Sequence, residues 1–144
     1  MSPKSIPALQ ATLTDLIDLA LITKQAHWNV HGTSFRAVHL HLDELVEQIL
    51  DWQDEIAERI VAIGGSPDGR SSAVVKNTRV APITEGAISD AAVVKYFAER
   101  LTALSQATQA TFGDLEDDLV SQDVLIGTVA GLDKAAWMFR SQIG

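Results

Sequence analysis

The chain has 144 residues, 47 % of them apolar and 21 % charged, which fits one globular domain over residues 1–144 and excludes a fibrous or low-complexity chain. It has no cysteine, so a disulfide scaffold, a thiolate zinc site, a cysteine-ligated cluster and a cysteine nucleophile are all excluded. The net charge of −8 repels DNA phosphates, because the 11 cationic side chains do not cluster. The apolar run Leu19 to Thr23 is far short of the roughly 20 residues that span a bilayer. It also follows Asp15 and Asp18, where a signal peptide would be basic. The expectation is a soluble cytoplasmic protein with no membrane segment.

Four segments carry helical periodicity. The first runs from Ser5 to Val30, with Leu9, Leu13, Leu16, Ile17 and Leu21 spaced by three and four, and Gly32 stops it. The second runs from Ser34 to Ile63, with Val38, Leu42, Leu45, Ile49, Ile56, Ile60 and Ile63 as its stripe. Ser34 reads as its N-cap and Gly64-Gly65 as its stop. Residues 66–88 hold Pro67, Asp68-Gly69, Pro82 and Gly86 and read as a long connection, with a short helix over Ser72 to Asn77. The third helix is expected from Ser89-Asp90 to Leu119, interrupted near Gly113, and the fourth from Ser121 to Ile143. Strand signals are confined to Val74-Val75 and Val80. Two long helices, a crossover and two more helices make an all-α four-helix bundle of ferritin-like topology.

The chemistry-bearing residues gather on the second helix. His39 and Asp43 are four apart, as are Asp54 and Glu58, so each pair shares a helix face. Asp43 and Asp54 are separated by about 16 Å of helix rise, too far for one ion to meet both pairs within a chain. The pairs meet if this helix packs antiparallel on its own copy about a two-fold axis, where residue i opposes a residue j with a constant sum. His39 with Glu58 and Asp43 with Asp54 give the same sum, so one register assembles both pairs, twice per dimer. Each site would hold one imidazole and three carboxylates, with His27 available as a second imidazole. Such oxygen-rich ligation suits Fe(II) or Mn(II), and zinc as well. The alternative is a solvated acidic face, since acids are numerous between Asp43 and Glu58. No glutamate is followed by histidine three residues on, which excludes the usual di-iron motif inside a bundle.

The run Lys24-Gln25-Ala26-His27-Trp28-Asn29-Val30, with Gly32 and Phe35 after it, resembles the first signature of the Dps proteins (DNA-binding protein from starved cells), the miniferritins. Ala37-Val38-His39 through Leu42-Asp43-Glu44 resembles its continuation. Asp54-Glu55-Ile56-Ala57-Glu58-Arg59 with Gly64-Gly65 resembles the second signature, and Leu132-Asp133-Lys134 with Trp137 the last helix. The resemblance covers nearly the whole chain. It implies a hollow homo-dodecamer of four-helix subunits with ferroxidase sites at two-fold interfaces. His27, His39 and Asp43 would come from one subunit, and Asp54 and Glu58 from its neighbour. It further implies that Fe(II) is oxidised, with hydrogen peroxide preferred over dioxygen, and that the Fe(III) mineral is stored inside, protecting against oxidative damage.

Trp28 and Trp52 are candidate electron donors beside that site, with a packing role as the alternative. No cation lies between Arg100 and Lys134, whereas Asp114, Glu116, Asp117, Asp118 and Asp123 do. In the resembled family, acids at this place line three-fold pores that draw Fe(II) inward. Asp123 matches best and Asp118 next, with helix capping as the alternative for both. His31 and His41 read as non-ligands, and Arg59 and Lys134 as ion-pair partners. Family members that bind DNA usually carry a lysine-rich tail. Here the first ten residues hold one lysine, Lys4, and the last residues hold none, so DNA binding is not expected. The competing function is a nucleoid-compacting structural protein that binds metal incidentally.

Overall fold

A computed structural model describes residues 3–143. Helix α1 spans Ser5–Asn29, α2 Phe35–Ala62, α3 Ser71–Asn77, α4 Asp90–Gln109 and α5 Leu119–Arg140. α1 pairs with α2 and α4 with α5, and the two hairpins close around one core. This is the four-helix bundle with a long crossover that the periodicity predicts, and the short helix lies within the crossover. Leu9, Leu13, Leu16 and Leu19 from α1 meet Leu42, Leu45, Ile49, Ile56 and Ile60 from α2. Phe97, Leu101, Leu132 and Phe139 fill the space from the other side. The predicted stripe of α2 is buried except Ile63, which is partly buried. In α1 the stripe drifts, because 3.6 residues per turn is not 3.5. Leu21 ends exposed, and Leu19 and Ile22 are buried in its place.

Other boundaries move for local reasons. Val30 and His31 leave the first helix to form a two-residue parallel bridge, β1, with Ile88 and Ser89 as β2. Val74 and Val75 follow the short helix expected over Ser72 to Asn77 and not their strand propensity. α4 stops at Gln109, well short of Leu119: the Thr111 hydroxyl donates to the Thr108 carbonyl at 2.7 Å, and residues Phe112–Leu115 tighten into a 3₁₀ turn. α5 then starts at Leu119, capped by Asp118.

The bridge brings the start of α4 beside the α1–α2 turn. Gly32 has φ +133°, and a Cβ there would fall 2.5 Å from the Asp90 carboxylate. That carboxylate accepts the Ser34 N–H at 2.8 Å and so ties the start of α2, where the Ser34 side chain makes no capping hydrogen bond. The crossover is tied along α1. Asp15 is buried, and its carboxylate accepts the Arg79 N–H and Nε–H, each at 2.9 Å. Thr78 donates to Asp18 at 2.6 Å. α1 is long and apolar enough to cross a membrane by length and composition, yet 61 % of its most apolar window is buried inside the bundle.

Asp15→Ala would leave the Arg79 guanidinium without its carboxylate. A loss of about 1–3 kcal/mol per subunit is expected, seen as a lower thermal midpoint and faster proteolysis at Arg79. An unchanged midpoint would contradict the role given to this anchor.

Candidate metal centre

His27 stands in the last turn of α1 and His39 in the second turn of α2. Their rings stack with centroids 3.8 Å apart and planes 11° from parallel. Each Nδ1 lies 2.7 Å from the other residue's backbone carbonyl. A carbonyl only accepts, so each Nδ1 must carry the hydrogen. Each Nε2 is then left with its lone pair, the form in which imidazole binds a metal. Phe35 stacks on the far side of His39 with centroids 4.9 Å apart. The two imidazoles are therefore held before any ligand arrives.

Asp43 joins this pair. Its Oδ1 is 3.9 Å from His27 Nε2. The same oxygen accepts from the Lys24 ammonium at 2.5 Å. That hydrogen bond, aided by the charge of Lys24, holds the Asp43 carboxyl below its ordinary value. A cation thus already sits where an ion bridging His27 and Asp43 would approach. Lys24 is a partner of Asp43 that the motif contained without a role. Its signal was the three-residue spacing to His27, which places both on one face of α1.

Asp54 and Glu58 stand on the same helix, both exposed, farther along α2. Among the described residues no group of three or more His, Asp or Glu side chains is close enough to hold a metal ion. His27 and His39 stack and Asp43 lies beside His27 without completing such a group, and Asp54 and Glu58 are not with them in this chain. Trp28 is 69 % exposed beside His27. Trp52 is partly buried, with its indole edge against Gly131 of α5.

The two acids near α5 separate. Asp118 is buried and fully engaged: it accepts from Ser5 at 2.6 Å, from the Ser121 N–H at 3.2 Å and from Arg59 at 3.2 Å. Burial alone would raise its pKa, but these hydrogen bonds and the Arg59 charge outweigh it and bring the carboxyl to about 2. Asp118 is thus the helix cap the sequence held open as an alternative, and both its oxygens are engaged by partners within the chain. Asp123 is exposed on α5. Arg59 is an ion-pair partner, as its place in the sequence implied. His41 stacks on Phe139 with centroids 4.3 Å apart, and burial lowers its pKa. His31 is exposed in the bridge.

A family model described as a ferritin-like domain matches residues 6–144. DNA protection during starvation protein 2 of Deinococcus radiodurans is 37 % identical over 139 residues, covering 96 % of this chain and 58 % of that protein. The chain therefore spans little more than half of that relative's length. The DNA protection during starvation protein of Mycolicibacterium smegmatis is 35 % identical over 136 residues, 94 % of this chain and 74 % of that one. A crystal structure of a Dps protein from Deinococcus radiodurans superposes with a TM-score of 0.94 at 37 % identity, covering 96 % of this chain and 84 % of the other. The fold and these matches define a ferritin-like protein. Within that class, the chain belongs to the Dps family.

The Asp118 cap makes a pH-dependent prediction. The folded carboxyl lies near 2 against an ordinary 3.8, so its contribution is complete above about pH 5 and fades as the pH falls toward 2. Asp118→Asn is expected to cost about 2 kcal/mol at pH 7 and to approach wild-type stability near pH 2. Thermal melts across that range check it. An equal deficit at both ends would contradict it.

Proposed function

We propose that this protein oxidises Fe(II), preferably with hydrogen peroxide, at sites shared between two subunits, and stores the Fe(III) product inside a hollow dodecamer. The observation that carries the reading is the preset half-site on one chain: two imidazoles with free Nε2 atoms beside Asp43. The complementary carboxylates, Asp54 and Glu58, lie exposed on the same helix in the register that a two-fold axis would bring opposite. Around them α2 leaves Leu40, Leu50 and Val61 exposed, and α1 leaves Leu21 and Trp28. Apolar surface of this kind favours a covering partner, and a second copy fits the sequence register.

The residue types fit the reaction. Anionic oxygen ligands favour Fe(III) over Fe(II) and so assist loss of the electron. Two Fe(II) supply one electron each, the peroxide O–O bond breaks, and both oxygens leave as hydroxide or water with protons from solvent. Taking the electrons in pairs avoids releasing hydroxyl radical. Trp28 and Trp52 serve as reserve one-electron donors. Asp123 is the acid that draws Fe(II) inward, a task that passes to it alone because Asp118 is spent on the cap. The Lys24 ammonium competes with the metal for Asp43, so it limits how tightly the site fills. Dioxygen is the slower oxidant. The charge of −8 per chain disfavours direct DNA binding, and protection would act through removal of iron and peroxide.

Anaerobic loading with about two Fe(II) per subunit, followed by a stoichiometric peroxide pulse, tests the reading by near-ultraviolet absorbance. Wild type is expected to oxidise iron fast, and an assembled variant with His39→Ala and Asp54→Ala to lose that phase. Equal rates would reject the reading. In parallel, Lys24→Met is expected to tighten divalent-ion binding several-fold at neutral pH. Weaker binding would show that the ammonium supports the site instead of competing with it.

A further inference from the structure

We propose that Gly131 is a positioning residue for the iron site: its bare backbone seats the Trp52 indole and thereby fixes where Asp54 and Glu58 stand. The proposal rests on the shared-site reading above and adds a residue that no ligand motif contains.

A Cβ built on Gly131 would lie 2.3 Å from Trp52 Cζ2, 2.8 Å from Cε2 and 3.1 Å from Nε1. The shortest of these falls about 1 Å or more inside ordinary contact. The neighbour is a rigid ring, packed against the core, and not the loose end of a flexible chain. Any side chain at this position forces a shift of the ring or of the backbone beside it, and a ring wedged against the core would pass that push to α2. Gly127, one turn earlier on α5, is different: a Cβ there meets nothing within 4 Å. The close approach is specific to the Trp52 seat and is not a general feature of the helix.

The direction of the displacement matters. At about 100° per residue, Asp54 lies roughly 200° and Glu58 roughly 240° around α2 from Trp52. Both carboxylates therefore sit on the side of the helix away from the Gly131 contact. A push on the indole moves the segment outward, toward the surface that carries both ligands. His27 and His39 are anchored separately, by the ring stack and the two reciprocal hydrogen bonds, and Asp43 by the Lys24 ammonium. The shift would change the distance between the two half-sites while leaving the first intact. Ligand geometry tolerates only about 0.5 Å of such error.

The test is Co(II) binding without oxidant, read by the visible absorption of the bound ion in assembled protein. Gly131→Ala is expected to weaken binding about tenfold and to alter the band shape, as loss of ligand support commonly does. Gly127→Ala controls for the helix-propensity gain and is expected to leave affinity within about twofold. Pairing Gly131→Ala with Trp52→Phe makes room for the methyl group and is expected to restore most of the affinity. A role in stability alone would shift melting and leave the Co(II) spectrum unchanged. Affinity and spectrum equal in the Gly131→Ala and Gly127→Ala proteins would overturn the proposal. Asp54→Asn separates the two levels: if it weakens Co(II) binding while Gly131→Ala does not, only the positioning role fails. If Asp54→Asn is also silent, the shared-site reading fails and the positioning role with it. Should Gly131→Ala not assemble, Trp52→Ala empties the seat from the other side. A comparable loss of affinity is then expected, and unchanged affinity overturns the proposal.

Discussion

An α-helix rises about 1.5 Å per residue, and that constraint governs everything proposed for this site. Asp43 and Asp54 are on one uninterrupted helix, so no bending of a side chain brings their pairs to one ion. The helix can supply its two halves only to two different sites, each completed by the other half from a second chain. Two-fold symmetry turns this separation into two equivalent sites per pair of chains. The remaining architecture keeps α2 straight, oriented and half-exposed. The buried stripe from Val38 to Ile60 fixes one face, the histidine stack fixes its beginning, and the Arg59–Asp118 pair fixes its end.

Polar groups fix the geometry where apolar packing is indifferent to rotation. Hydrophobic burial is non-directional, so it stabilises the bundle without setting an imidazole's tautomer or orientation. The reciprocal Nδ1 contacts of His27 and His39 do both, and they cross-link the end of α1 to the start of α2. At the opposite end Asp118 gathers Ser5, Arg59 and the first turn of α5. Asp15 and Asp18 hold the crossover against α1. Several of the acids that make the chain strongly negative are thus structural, and fewer remain for metal than the composition suggests.

Much of this was legible in the sequence because periodicity and ligand spacing are local properties. The α2 stripe, the short crossover helix and the His39–Asp43 and Asp54–Glu58 pairs are set by residues a few positions apart. What escaped depends on contacts between distant segments. The Val30–Ile88 bridge, the place of Asp90 beneath Gly32 and the seating of Trp52 on Gly131 join residues far apart in the chain. The end of α4 was misplaced because Ala110 and Thr111 are compatible with helix, and the chain tightens into the Phe112–Leu115 3₁₀ turn instead. Asp118 was open between a pore role and a helix cap until its three partners were in place.

The central claim is that one site needs residues from two chains, and complementation tests it most directly. One variant would lack His39 and Asp43, the other Asp54 and Glu58, each replaced by alanine. Each alone should assemble and fail to oxidise Fe(II) rapidly. When the two are co-expressed and purified as mixed assemblies, part of the interfaces receives an intact half from each, and rapid peroxide-driven oxidation should return. Mixed assemblies as inactive as either parent would contradict a shared site.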